Sequence, residues 1–244
     1  MSRETNILDY LDFLQDLDKA KEPYFLEGGQ AVNFWAEYYS AAAKAKGLQK
    51  FAPFTSKDCD IWIGMAAMRH LQSKASGKLL KGKSPADGQI GIFTIEGDIP
   101  RTIDLMSGVY GINPDENERL RQRAYRFNGI TVLDPLNLFR SKCHCLIDLD
   151  QTDRQDEKHL KMLCLILPAH LSDLIRIVKA GEIKERQLIR EIKLLRKFCS
   201  LNRCRRALKL IETASESLFP IRKMAESGLE RLSALAASTW PDRV

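Results

Sequence analysis

The sequence predicts an α/β (α+β) chain, with strands interleaved with helices up to residue 134 and a helical C-terminal domain over 135–244. Three observations carry this. Short apolar runs with period-two alternation stand at 23–27, 58–63, 89–96 and 101–106. Beyond Pro135 the apolar residues recur at helical spacing almost without interruption. The charge divides at about the same place: residues 1–150 hold 19 Lys/Arg against 20 Asp/Glu, and residues 151–244 hold 19 against 12. The net excess of +6 therefore lies in the helical part.

Pro23-Tyr-Phe-Leu-Glu27 reads as a first strand, delivering Gly28 and Gly29 to the start of a helix. That helix runs from Gln30 to Lys46, with Ala31, Phe34, Trp35, Tyr38 and Tyr39 at helical spacing and Gly47 as its stop. Trp35, Tyr38 and Tyr39 are expected to pack in the core and at its rim. A helix start offers unpaired N–H groups and partial positive charge, and glycines let a phosphate approach them closely. Asp58-Cys-Asp-Ile-Trp-Ile63 reads as the next strand, with Asp58, Asp60 and Trp62 on one face and Cys59, Ile61 and Ile63 toward the core. Gln89–Glu96 and Arg101–Met106 read as a strand pair, in which Ile103 and Leu105 turn Asp104 to the opposite face. Three carboxylates with few other ligand types favour a hard cation, Mg²⁺ or Mn²⁺, over zinc. Cys143-His144-Cys145 is too tightly spaced for the usual separated zinc ligand pairs.

The segment Gly77 to Gly88, with Ser76-Gly-Lys and Lys81-Gly-Lys-Ser-Pro around it, lacks the Gly-x4-Gly-Lys-Ser/Thr spacing of a phosphate loop. It is read as a basic loop beside the cleft. In the C-terminal part, 153–167, 171–179, 182–198 and 203–218 suit helices. Pro220 breaks the chain before a last amphipathic stretch to Leu235. On the third of these helices Arg186, Arg190, Lys193 and Lys197 form a stripe opposite Leu188, Ile192 and Leu195, and Arg203, Arg205 and Arg206 follow. No aromatic residue interleaves these cations, so base stacking is not indicated. His159 and His170 have no evident partner in sequence and receive no role.

Composition sets broad limits. A hydrophobic content of 44% with 29% charged residues is ordinary for a folded protein, and 244 residues can bury a full core. The first residues, Met-Ser-Arg-Glu-Thr-Asn, have no apolar run behind them, so no signal peptide is expected. The longest apolar stretch, Met162 to Leu167, is too short for a bilayer. Six cysteines without a framework spacing suggest reduced thiols and a cytoplasmic protein.

Gly28-Gly29, Asp58-x-Asp60 and Asp104 resemble the signature of the nucleotidyltransferase superfamily with the polymerase-beta fold. Gly28-Gly-Gln-Ala31 and Ser56-Lys-Asp-Cys-Asp60 are most similar to the bacterial abortive-infection, toxin-type members, with serine in place of threonine. The resemblance covers roughly residues 20 to 165 and extends to Lys142 and to Asp153-Arg-Gln-Asp-Glu-Lys-His159. It departs at Phe54, where an arginine is common, and at Gln155, where a lysine is. It implies a nucleotidyltransferase core over 1–134, built on a small mixed β-sheet with helices on one face. It further implies a catalytic, metal-binding set of Asp58, Asp60 and Asp104, holding Mg²⁺ or Mn²⁺. Asp104 would take the proton of the acceptor, and Gly28, Gly29, Ser56 and Lys142 would bind the nucleotide. The implied reaction moves NMP from an NTP to an acceptor hydroxyl, on RNA for the toxin-type members, with a cognate antitoxin protein as partner. Transfer to a small molecule or a protein, and a non-catalytic nucleotide-binding module, are the alternative readings. The basic helical half disfavours a cationic small-molecule acceptor, and retention of all three acids disfavours a dead site.

Overall fold

The computed structural model describes residues 4–42, 44–73, 77–81, 88–97 and 100–243. Its first helix, α1 (Leu11–Lys19), buries Leu14 and Leu17 and leads into β1 (Tyr24–Glu27). The helix after it, α2 (Gly28–Ala41), starts on the glycines themselves. It also stops earlier than its periodicity predicts. Past Tyr39 the segment is alanine and lysine, with little area to bury, and the chain turns at Gly47 (φ +89°). Next come β2 (Cys59–Ile63), α3 (Met65–Gln72), β3 (Gly77–Lys81), β4 (Gln89–Ile95) and β5 (Arg101–Met106). Then α4 (Asn117–Arg123), β6 (Tyr125–Phe127) and β7 (Ile130–Val132) complete the strand-bearing part.

Among the described residues the strands form one mixed sheet of seven, in the order β3-β4-β5-β2-β1-β7-β6. β2 runs antiparallel to β1 and parallel to β5, which places the three site-bearing strands side by side at its centre. The expected basic loop at 77–88 is a strand over its first five residues. β3 pairs antiparallel with β4, from Gly77 opposite Ile95 to Lys81 opposite Gly91. Gly77 is required there, because a Cβ would strike the Phe93 ring. Residues 82–87 lie outside the described residues. β6, which the sequence reading did not separate, is joined to β7 by Asn128-Gly129, both with positive φ, the signature of a tight hairpin turn.

From Pro135 onward the chain is helical: α5 (Pro135–Asp148), α6 (Asp156–Lys179), α7 (Glu185–Ser200), α8 (Asn202–Leu210), α9 (Ile221–Ala225) and α10 (Glu230–Thr239). The two helices expected over 153–179 are one. α6 passes through Pro168, and the flanking Leu167 and Leu171 are fully buried. Burial on both sides outweighs the lost hydrogen bond. Conversely, the helix expected over 203–218 ends at Leu210, because Glu212 takes a left-handed conformation (φ +52°) and a 3-10 turn, Ser215–Leu218, follows. α2 packs on β1 and β2, and α5 and α6 pack in turn on α2. One apolar cluster therefore runs from Leu26 and Ile61 through Phe139 and Leu163 to Leu195. Trp35 and Tyr39 are buried in it and Tyr38 sits at the rim, as expected; the Trp35 indole donates to the Leu133 carbonyl (2.9 Å). His170 is held between the Tyr39 and Tyr125 hydroxyls. All six cysteines are free and buried. Among the described residues no helix is long and apolar enough to cross a membrane.

Asp134 is the joint between the sheet and α5. Its carboxylate caps α5 through the Leu136 and Asn137 amides (3.1 Å each) and accepts from the Asn137 side chain (2.7 Å) and Arg123 (3.3 Å). Asp134→Ala is expected to cost about 3 kcal/mol, by adding a lost cap to a weakened buried ion pair. Thermal denaturation would show this as a fall of roughly 6–12 °C.

Candidate active site

Strand register aligns three acids. Glu27 on β1 lies opposite Asp60 on β2, and Asp60 lies opposite Asp104 on β5. The alternation is enforced from below, since Cys59, Ile61, Ile103 and Leu105 are fully buried and leave only the other face to the carboxylates. Asp58 stands one side-chain repeat before Asp60. Crowding like charges in a partly dry site costs free energy, and the proton affinities show it. Burial, then Asp104, pushes Asp60 up to about 7. Burial, then Asp58, pushes Asp104 up to about 6. Burial, then Asp60, holds the Glu27 carboxyl well above the usual range.

The glycines are shaped by the same acids. Gly28 has φ +63°, and a Cβ there would collide with the Asp60 carboxylate. At Gly29 a Cβ would come within 2.8 Å of both Ser56 Oγ and the His159 ring. No side chain caps the start of α2, which leaves its first amides for another partner. Ser56 is held beside them by a two-way backbone bridge to Thr5 (2.9 Å each way). Gly28→Ala combines a left-handed backbone with a steric clash, and is expected to cost roughly 1–3 kcal/mol. Urea denaturation would measure it.

All seven residues singled out from the sequence line one cavity of about 380 Å³: Gly28, Gly29, Ser56, Asp58, Asp60, Asp104 and Lys142. Lys142 stands on the cavity wall within an ion pair. Its Nζ is buried and donates to Asp156 (2.7 Å), whose other oxygen accepts from Arg154 (2.6 Å). Although burial works against it, these two cations keep the Asp156 carboxyl below its ordinary value. The Lys142 charge also restrains the upward shifts of Asp60 and Glu27.

Glu27 was not singled out from the sequence, and Arg154, Asp156 and His159 enter there only within the Asp153–His159 segment of the resemblance, without a role, yet all four line the same cavity. His159, given no role above, is 3% exposed, and neither ring nitrogen has a hydrogen-bond partner among the described residues. Burial and then Lys142 hold its pKa well below the usual value, so the imidazole is neutral. Glu27 Oε1 and Gln155 Oε1 are likewise buried without a partner there. Buried polar groups left unmatched on a cavity wall are suited to ordered water or to a polar ligand.

The donor set suits a hard divalent cation in type, being carboxylate oxygens whose mutual repulsion a cation would relieve. It is not a closed shell. Among the described residues no group of three or more His, Cys, Asp or Glu is drawn together closely enough to hold an ion. Magnesium ordinarily completes its shell with water and phosphate oxygens, so an open set remains compatible with it.

No protein-family model matches the chain, and the comparison with curated proteins finds no match. Solved structures similar to it at low identity include the following three. An antigenic nucleotidyltransferase-like protein from Paracoccidioides brasiliensis aligns with TM-score 0.40 and 14% identity, over 77% of this chain and 91% of that one. JHP933 from Helicobacter pylori aligns with TM-score 0.42 and 16% identity, over 93% and 95%. The Megavirus polyadenylate synthase aligns with TM-score 0.40 and 10% identity, over 74% and 38%. The functional reading rests on the cavity itself.

Proposed function

We propose that the chain is a metal-dependent nucleotidyltransferase that moves NMP from an NTP to an acceptor hydroxyl. The observation that carries this is the juxtaposition of an uncapped, glycine-opened helix start with a row of mutually repelling carboxylates in one cavity. The α2 amides at Gly28 and Gly29, with Ser56, are placed to receive phosphate oxygens. The neutral His159 offers one further donor beside them. Arg154 and Lys142 hold Asp156 and supply positive potential to the same wall. Mg²⁺ or Mn²⁺ bound by Asp58, Asp60 and Asp104 would stabilise the charge on the entering and departing oxygens. The acceptor oxygen attacks the α-phosphorus, the bond from that phosphorus to the bridging oxygen breaks, and pyrophosphate leaves. The hydroxyl proton passes to the Asp104 carboxylate.

RNA is the proposed acceptor, supported by the basic excess of the helical half. The finer assignment, a toxin-type enzyme held in check by a cognate antitoxin, rests on the Gly28-Gly-Gln-Ala31 and Ser56-Lys-Asp-Cys-Asp60 motifs alone.

The test is incubation of each α-labelled NTP, with Mg²⁺ or Mn²⁺, in a mixture of total RNA and cell protein. An Asp58→Asn/Asp60→Asn double variant serves as the control. The proposal requires label in the macromolecular fraction that RNase releases and the control lacks. Protease-sensitive label would move the acceptor to protein, and no label from any NTP would count against transfer.

A further inference from the structure

A second concavity, of about 790 Å³, lies on another part of the molecule. Four separate segments build it: the chain around 44–51, the middle of α6, the stretch 211–217, and the start of α9. Six cations line it, Lys44, Lys46, Lys50, Lys161, Arg222 and Lys223, against the single acid Glu212. Three of them are paired: Lys44 with Asp173 (2.8 Å), Lys161 with Glu157 (2.5 Å) and Arg222 with Glu226 (2.8 Å). Lys46, Lys50 and Lys223 are exposed and make no ion pair among the described residues. The floor between the cations is apolar, with Ala45, Ala169, Ile211 and Ile221 all buried.

We infer that this groove is a docking track for the phosphate backbone of an RNA strand. The inference rests on the nucleotidyltransferase reading above and adds a surface that holds the body of the acceptor. Two arguments carry it. A fixed excess of one charge, gathered from segments distant in sequence, attracts a polyanion. The cations are spread along an open groove instead of converging on one point, so they fit a chain of phosphates better than one small anion. On α6 the groove residues Lys161, Leu165 and Pro168 stand on the face turned away from Asp156 and His159, so a strand held in the groove would pass around the helix for its end to reach the cavity. Only Phe51 among the groove residues is aromatic, so recognition would be of backbone and not of base sequence.

The test compares two triple charge reversals in the full-length protein. One is Lys46→Glu/Lys50→Glu/Lys223→Glu in the groove. The other is Arg190→Glu/Lys193→Glu/Lys197→Glu on α7, which changes net charge by the same amount on the exposed stripe. Binding of a fluorescein-labelled, mixed-sequence single-stranded RNA is followed by polarisation across a salt series. The groove variant is expected to lose at least tenfold in affinity, and its log–log salt dependence should flatten by about 2. The α7 variant should lose less than about threefold, by long-range charge alone. Circular dichroism checks the fold, and if the triple variant does not fold, Lys50→Glu alone should still flatten the salt dependence by about 0.7. Equal loss in the two variants, greater loss on α7, no RNA binding by the wild type, or equally ready displacement by polyglutamate would each overturn the inference. Absence of NMP transfer together with groove-dependent RNA binding would sink the active-site reading and leave the docking track standing.

Discussion

Asp60→Asn is expected to raise the melting temperature above pH 7 by about 5 °C or more while reducing NMP transfer at least about 100-fold. Both effects have one cause. Asp60 sits between Glu27 and Asp104 across adjacent strands, and its pKa is about 7 against an ordinary 3.8. Between about pH 4 and 7 the folded protein therefore holds a proton that the unfolded chain has released, and stability falls as pH rises through this window. The ionised carboxylate costs the fold on the order of a few kcal/mol above pH 7. Asparagine keeps the shape and carries no charge, so the variant's advantage should vanish near pH 4 and be complete above pH 7. Denaturation midpoints of the two proteins across that range measure it. A divalent cation should stabilise the wild type more than the variant, because it relieves the same repulsion. A destabilised Asp60→Asn protein at pH 8 would mean that the acids are not in conflict. The trade is the expected one for a site whose charges are arranged for a ligand and not for the fold.

Lys142→Met acts in the opposite direction. The ammonium is buried against Asp156 and also moderates Asp60 and Glu27, so its removal leaves three acids less compensated. Breaking a buried pair at one partner costs about 3 kcal/mol or more, here tempered because Arg154 still holds the second Asp156 oxygen. Urea denaturation of Lys142→Met should show that loss. The double variant Lys142→Met/Asp156→Asn should recover about half of it or more, since the stranded charge is gone. Full additivity of the two single losses would contradict the pairing. Lys142 thus supports the cavity wall through Asp156.

The strands that carry the acids were legible because their alternation is enforced by burial: Cys59 and Ile61, and Ile103 and Leu105, leave the acids only one face. Gly28-Gly29 marked the helix start because the pair is itself a sequence signal, and the fold requires it: a Cβ at Gly28 would strike the Asp60 carboxylate, and one at Gly29 would crowd Ser56 and His159. What sequence could not reach was set by register and by distant chain. Glu27 looks like the end of a strand until pairing puts it opposite Asp60. The segment with Asp156 and His159 belongs to the sequence resemblance, but without a role for either, and both reach the cavity wall only because α6 packs against α2 and α5. Pro168 and Glu212 misled in opposite directions. Packing carries α6 through a proline, and a left-handed residue stops the chain after α8 where periodicity alone would continue it. The Asn128-Gly129 hairpin was a readable turn signal, but its strands, β6 and β7, are only three residues each and too short for periodicity to register. The basic groove draws on four segments and has no linear signature at all.

The most direct test of nucleotidyl transfer is a paired labelling experiment with α-labelled and γ-labelled forms of the NTP that supports activity. The protein, an RNA acceptor and Mg²⁺ are mixed, and label retained in the RNA is counted. Attack at the α-phosphorus predicts retention of the α label, release of the γ label as pyrophosphate, and neither outcome with Asp60→Asn. Retention of the γ label in the acceptor would contradict the account, because it would show that the cavity transfers the terminal phosphoryl group instead.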